Sequence, residues 1–180
     1  MRETIRSFDR HVQDRVNRLP RALHGSMLFF TLIGQPPFTV GIAAAVMGYG
    51  WALSLPSYFW AGMLALATVV VVSILKLVLR RPRPRNTYVR NMIIKTFSFP
   101  SGHAAGALAS YGLVAAIASS LEPVLALPMW LAALSVTFLI SLSRVYLKAH
   151  YASDIIGGWI VGAAGLALIV IELFAINGSL

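Results

Sequence analysis

The chain contains no cysteine, so disulfides, thiolate nucleophiles and cysteine-based metal sites are excluded. Charge is nearly as scarce: Asp, Glu, Lys and Arg make up only 12% of the 180 residues, and just six of them are acidic. What remains is apolar, with 58% hydrophobic residues and a mean hydropathy of +0.76. A soluble domain of this size has too little interior to hide that surface. A bilayer can take it. The formal charge of +9 does not point to nucleic acid, because the basic residues fall in short blocks between long apolar runs. Blocks of that kind accompany membrane topology and anionic lipid contacts. Met1–Arg21 lacks an apolar central run and a small-residue cleavage site, so it does not read as a signal peptide.

A single all-α domain embedded in the membrane is expected over residues 1–180. Residues 1–19 read as an amphipathic helix: Ile5, Phe8, Val12, Val16 and Leu19 share one face, with Arg2, Arg6, Arg10, Asp14 and Arg18 elsewhere. Such a helix suits the headgroup boundary or a lid against the rest of the protein, and Pro20 is expected to end it. The interfacial segment is taken as residues 1–23 and the transmembrane core as 37–176. Met27–Gly34 is apolar but too short to cross, and reads as an interfacial lead-in. Five spans follow, near residues 37–55, 57–79, 101–120, 124–147 and 153–176, each close to the ~20 residues a crossing helix needs.

Five spans impose a parity. If the N-terminal side is called A and the opposite side B, then Lys76–Arg85, Ser101–His103, Ser143–Arg144 and Asp154 all fall on side A. All fifteen Lys and Arg residues do as well, which by the positive-inside tendency makes side A cytoplasmic.

Three segments there carry chemistry. Pro100-Ser101-Gly102-His103 opens a helix, whose first turn offers free N–H groups and partial positive charge to an anion. His103 follows within reach of that anion. Lys76 sits about one turn inside the end of an apolar stretch; alone, it would simply snorkel to the interface. Arg80, Arg81, Arg83 and Arg85 come next, on a backbone stiffened by Pro82 and Pro84. Guanidinium groups grip phosphate oxygens in bidentate fashion. His150 and Asp154 stand four apart, so they share a helix face if the helix begins early enough. A carboxylate on one imidazole nitrogen fixes the tautomer and leaves the other free to attack. A lone His–Asp pair is more often structural, but Arg144 lies six residues upstream and the other segments converge. Two histidines, one carboxylate, several cations and a helix N-terminus suit phosphoryl transfer. Two histidines and one carboxylate are too few for a two-metal centre, so neither a metal nor any other cofactor is expected.

Lys76-x6-Arg83-Pro84, Pro100–His103 and Ser143-Arg144-x5-His150-x3-Asp154, in that order, resemble the type-2 phosphatidic acid phosphatase superfamily. The motifs span Lys76–Asp154, and the surrounding apolar runs extend the match over most of the chain. The resemblance implies that His150 attacks phosphorus, Asp154 orients it and His103 protonates the leaving oxygen. Lys76, Arg83, Arg144, Ser101 and the Gly102 N–H would hold the phosphate. Membrane members commonly read as six-span proteins; here the amphipathic segment stands where a first span is usual. The substrate expected is a membrane lipid phosphate, foremost a polyprenyl (di)phosphate, with phosphatidylglycerophosphate and phosphatidic acid as alternatives. A bacterial inner membrane is the expected location. A lipid phosphotransferase and a non-catalytic lipid-binding or transport protein are the rival readings.

Overall fold

A computed structural model describes residues 2–92 and 96–175, and among them every regular element is helical. Helix α1 (Arg2–Val16) ends before Pro20, which disfavours helix in the residue preceding it and leads instead into a turn of 3₁₀ helix at Arg21–Leu23. Helices α2 (His24–Ile33) and α3 (Pro36–Ala52) meet at a 41° bend. The cause lies in the sequence: Gly34 and Gln35 interrupt the ladder, and Pro36 restarts it at a first-turn position where its missing N–H costs nothing. Helix α4 (Pro56–Leu79) is likewise started by a proline. A single turn, α5 (Thr87–Arg90), interrupts the following loop. Helices α6 (Gly102–Leu121), α7 (Ala126–Tyr146) and α8 (Ala152–Ala175) complete the bundle.

Three single helices, α4, α6 and α8, are long and apolar enough to cross a bilayer, as is α7 together with the 3₁₀ turn Pro123–Leu125 before it; the bent α2–α3 pair brings the number to five. Five spans therefore stand as expected, but the first is built differently. Met27–Gly34, expected as an interfacial lead-in, is helical up to Ile33. It forms most of α2, which lies along the A-side half of α7, with Thr31 hydrogen-bonded to Ser143. Beyond the bend the chain continues as α3, and Tyr111 Oη donates to the Ile33 carbonyl (2.9 Å), which the break leaves without its helical partner. Ile176, the last residue of the fifth expected span, falls outside the described residues.

Helix α6 is the hub. It packs against α3, α4, α7 and α8, and its face is built from Ala104, Ala105, Ala109, Gly112 and Ala116, all without appreciable exposure. Small residues are what close helix packing in a membrane requires, since no hydrophobic effect drives helices together there. On α8 the same logic holds: a Cβ on Gly162 would sit 2.9 Å from the Ala105 carbonyl oxygen, so only glycine allows this approach. Around the hub, Val70, Ile74, Leu131, Phe138, Ile160 and Leu168 point outward, as a lipid-facing belt should. Tyr49, Trp51, Tyr58 and Trp60 cluster at the α3–α4 turn on side B, where amphipathic rings suit the interface.

Helix α1 packs on the A-side ends of α7 and α8. Val16 is buried there, whereas Ile5 and Phe8 remain exposed at the other end of the same apolar stripe. The helix is both packing element and interfacial element.

Candidate active site

The A-side ends of α4, α6, α7 and α8 converge, and with them Lys76, Arg83, Ser101, His103, Arg144, His150 and Asp154. Lys76 reaches up from the last turn of α4 and is nearly buried, its Nζ donating to the Phe97 carbonyl at 3.1 Å. The helix stops one turn later because Arg80 adopts a left-handed conformation (φ 47°). Arg83, in the extended loop beyond, donates through Nε to the Thr96 carbonyl (2.8 Å) and through Nη1 to the Ala149 carbonyl (2.9 Å). The same Nη1 lies 3.1 Å from His150 Nε2.

Ser101 is the N-cap of α6: its Oγ accepts from the Ala104 N–H at 3.4 Å, and it is fully buried. A Cβ on Gly102 would stand 3.6 Å from Lys76 Cε, so the helix start and the lysine stem are in direct contact. His103 lies in the first turn of α6 beside Gly34, the residue at which the first span breaks.

His150 owes its position to the end of α7. Lys148 adopts a left-handed conformation (φ 53°), the Ala149 N–H bonds back to the Arg144 carbonyl and the Lys148 N–H to the Val145 carbonyl. This Schellman pattern satisfies the last carbonyls of α7 and folds the chain back over Arg144. Helix α8 starts at once, and Asp154 in its first turn comes within 3.4 Å of His150 Nδ1. Its Oδ2 also accepts from the Tyr151 N–H (2.9 Å). His150 and Asp154 are 1% and 0% exposed.

Protonation follows from these contacts. A guanidinium can only donate, so His150 Nε2 must present its lone pair to Arg83, and the ring proton sits on Nδ1, facing Asp154. Burial, followed by the charges of Arg83, Arg144 and Lys76, holds this imidazole well below its ordinary value of 6.5. It is neutral, with the electron pair of Nε2 turned to Arg83. Burial, followed by Arg144, lowers Arg83 to about 10, which still leaves it cationic at neutral pH.

Arg144 lies at the floor of the site and is 1% exposed. Its Nη1 donates to Thr31 Oγ1 (3.1 Å) and to Tyr88 Oη (3.2 Å). Ser143 Oγ donates to the Ile140 carbonyl, so Thr31 must donate to Ser143, and the chain of donors runs Arg144, Thr31, Ser143, Ile140. Arg144 Nε and Nη2 have no partner. Five buried polar side-chain atoms lack one among the described residues; four belong to His103, Arg144 and His150, and the other is Thr137 Oγ1. No carboxylate pairs with Lys76, Arg83 or Arg144 among the described residues. Three cations without a carboxylate partner, one of them with two buried donors unfilled, are an arrangement that suits an anion, since uncompensated buried charge is costly.

The family model for the PAP2 superfamily matches residues 57–176, a stretch that contains all of these groups but Thr31. The chain belongs to the PAP2 superfamily. It is 27% identical over 149 residues to an undecaprenyl-diphosphatase of Sulfolobus acidocaldarius, covering 78% of this chain and 66% of that one. It is 31% identical over 108 residues to a phosphatidylglycerophosphatase B of Bacillus subtilis, covering 57% of this chain and 53% of that one. The chain thus spans less than two thirds of the length of either relative. A transmembrane PAP2-type phosphatidylglycerolphosphate phosphatase from Bacillus subtilis has the same fold, with a TM-score of 0.67 at 24% identity over 97% of this chain and 85% of that one.

Several contributors to this PAP2 site were not singled out from the sequence. Thr31 lay inside the segment read as a lead-in; a lone threonine in an apolar run was the available signal. Tyr88 comes from a loop turn whose only cue is Asn86, the cap that accepts from Val89 N–H. Arg81, seen as one of a basic group, pairs with both Asp154 and Asp9 at 2.7 Å. Asp9 had a weaker signal, for it falls at the edge of the apolar arc of α1, just beyond Val16 in angle.

Proposed function

We propose that this protein is a membrane lipid phosphatase in which His150 is the nucleophile. The observation that carries the reading is the posture of His150: neutral, one nitrogen toward a carboxylate, the other toward a buried cradle of unpaired cations. A phosphoryl group in that cradle would be held by Lys76, Arg83, Arg144, the Ser101 hydroxyl and the first-turn N–H of Gly102. Charge on the equatorial oxygens would then be neutralised among largely buried groups, where such interactions are stronger than in bulk water.

The His150 Nε2 lone pair attacks phosphorus as the bond to the lipid oxygen breaks. The leaving oxygen takes its proton from His103, and Asp154 stabilises the positive charge that develops on the His150 ring. Water then attacks the phosphohistidine, His103 takes back a proton, and inorganic phosphate leaves. No metal is needed for this, because the cations supply the charge. Among the described residues no three His, Cys, Asp or Glu side chains group as a metal site would need.

The substrate proposed is a lipid whose tail stays in the bilayer, foremost a polyprenyl diphosphate. Beside the cradle is a cavity of ≈760 Å³ lined in part by Arg83, Arg85, Asn86 and Arg90, which offers cations for a second phosphate. Of the two relatives matched by sequence, the undecaprenyl-diphosphatase aligns with the larger share of this chain. Phosphatidylglycerophosphate is the second candidate, on the strength of the other relative. Side A is proposed to face the cytoplasm of a bacterial inner membrane, so a reporter joined after α8 should be external.

The test is phosphate release by purified protein from polyprenyl diphosphate, polyprenyl phosphate, phosphatidylglycerophosphate and phosphatidic acid, in EDTA. Release that persists in chelator and disappears in His150→Ala supports the reading. Loss of release on chelation contradicts the metal-free mechanism. Phosphate passed to a second lipid instead of water would mark a phosphotransferase.

A further inference from the structure

The helix at the membrane surface reaches the catalytic carboxylate. Asp9 is only 5% exposed although its neighbours Phe8 and Arg10 are open. Its Oδ1 accepts from the Ser153 N–H at 2.8 Å, and its Oδ2 accepts from Ser153 Oγ at 2.8 Å. A first-turn N–H of α8, which has no partner within its own helix, is thereby satisfied by a side chain about 140 residues away in sequence. Arg81 joins the two acids: Nη2 donates to Asp9 Oδ2 and Nη1 to Asp154 Oδ1, each at 2.7 Å. The guanidinium is itself held over the Tyr151 ring, 4.4 Å from its centroid.

We infer that Asp9 and Arg81 are positioning residues for the phosphatase reaction: together they fix which oxygen of Asp154 faces His150 and how much charge it brings. With Arg81 on Oδ1, only Oδ2 is left to the Tyr151 N–H and to His150 Nδ1. That choice sets the carboxylate charge facing Nδ1, which stands 3.4 Å from Oδ2 without a hydrogen bond of its own, and so favours the proton on Nδ1 over Nε2. Asp9 completes the arrangement by balancing the Arg81 charge. Without Asp9, the whole guanidinium charge would fall on Asp154 and weaken its hold on the imidazole. Without Arg81, two carboxylates would face each other across Ser153. Each residue therefore makes sense only with the other. Neither belongs to the phosphate cradle, which is made by Lys76, Arg83 and Arg144.

The inference rests on His150 being the nucleophile, and one experiment separates the two claims. Full-length Asp9→Asn, Arg81→Gln, Arg81→Lys, the Asp9→Asn/Arg81→Gln double variant and His150→Ala are assayed on the best lipid phosphate. The readouts are kcat, KM, the inhibition constant of inorganic phosphate and the thermal melting temperature in detergent. Asp9→Asn and Arg81→Gln should each lower kcat about 10- to 100-fold, the range found for outer partners of active-site ligands. KM and phosphate inhibition should stay within about twofold, because groups that bind substrate and transition state alike are untouched. Arg81→Lys should recover part of kcat, and the double variant should lose far less than the product of the single losses.

Unchanged kcat in Asp9→Asn with His150→Ala inactive would overturn the positioning role and leave the phosphatase reading standing. Activity in His150→Ala would overturn that reading itself. A rise in KM and in the phosphate inhibition constant at constant kcat would make the pair part of the binding site, against the inference. Should Arg81→Gln not fold, Asp9→Asn on its surface helix and Arg81→Lys carry the same test.

Discussion

The two ends of the helical bundle solve opposite problems. The B-side half is dry and built from small side chains: Ala43, Ala61, Ala65, Ala109, Leu113 and Ala116 pack with Ile169 and Leu173 into one apolar cluster. The A-side half has a much smaller apolar cluster, around Val16, Ala104, Val145 and Ile155, and is tied together by side-chain hydrogen bonds. Lys76, Arg144, His150 and Asp154, all buried, lie within it. Polar groups are expensive at membrane depth, so a fold that needs them gathers them at one face and lets helix packing elsewhere carry stability. The lesson is a division of labour: close backbone approach holds the bundle, and its A-side ends are left to chemistry.

If that division is right, substitutions at the two ends should fail in different ways. The largest effect expected is in His150→Ala, where phosphate release should fall by about 10⁴-fold or more, as removal of a nucleophile does. Melting should change far less than activity. Arg144→Lys should come next. It keeps the charge but loses the fork that spans Thr31, Tyr88 and the two unfilled directions, so kcat/KM should drop by about 10²–10³, as for a lost oxyanion donor. On the other side, Gly62→Val puts a side chain where a Cβ already meets the Met47 nitrogen at 2.6 Å and the Ala43 oxygen at 2.7 Å. It should destabilise by about 1–3 kcal/mol, with kcat per folded molecule unchanged. A drop in kcat at constant stability would break the comparison.

pH should act on the A-side alone. Because the free-enzyme His150 is held well below 6.5, it stays neutral through pH 6.5 and is protonated only in more acidic solution. The acidic limb of kcat/KM that reports this group should therefore lie below pH 6.5, and a limb at or above that value would contradict the burial of a neutral imidazole. The smallest effect concerns Lys148, a non-glycine residue with φ 53°. Lys148→Gly relieves that left-handed conformation at some cost in unfolded-chain entropy, so stability should move by less than about 1 kcal/mol, with activity retained.

The same contrast explains what could be read from the sequence. The clustering of polar residues on side A was legible because reactive residue types sit at helix ends within short motifs, and the parity of the spans places those ends together. The span α2–α3 was only half legible. Hydropathy ends at Gly34 and Pro36, and nothing local says that the chain on either side is one crossing. Thr31 and Tyr88 were hidden because their roles depend on where α2 and the loop turn α5 dock against Arg144. Asp9 was only partly legible: it borders the apolar stripe of α1, and its burial, which demands a partner, comes from the docking of that helix. Its partner Arg81 was in view, but one guanidinium among several in a basic loop carries no mark of which acid it will meet.

The central claim is that a buried, neutral histidine takes the phosphoryl group. Rapid quenching of the enzyme with a lipid phosphate labelled in its phosphoryl group, in EDTA, tests this directly. The account predicts a transient phosphoenzyme, labile to acid and stable to base, with the label on His150 and none in His150→Ala. Label on another residue, or a labelled intermediate that persists in His150→Ala, would contradict it.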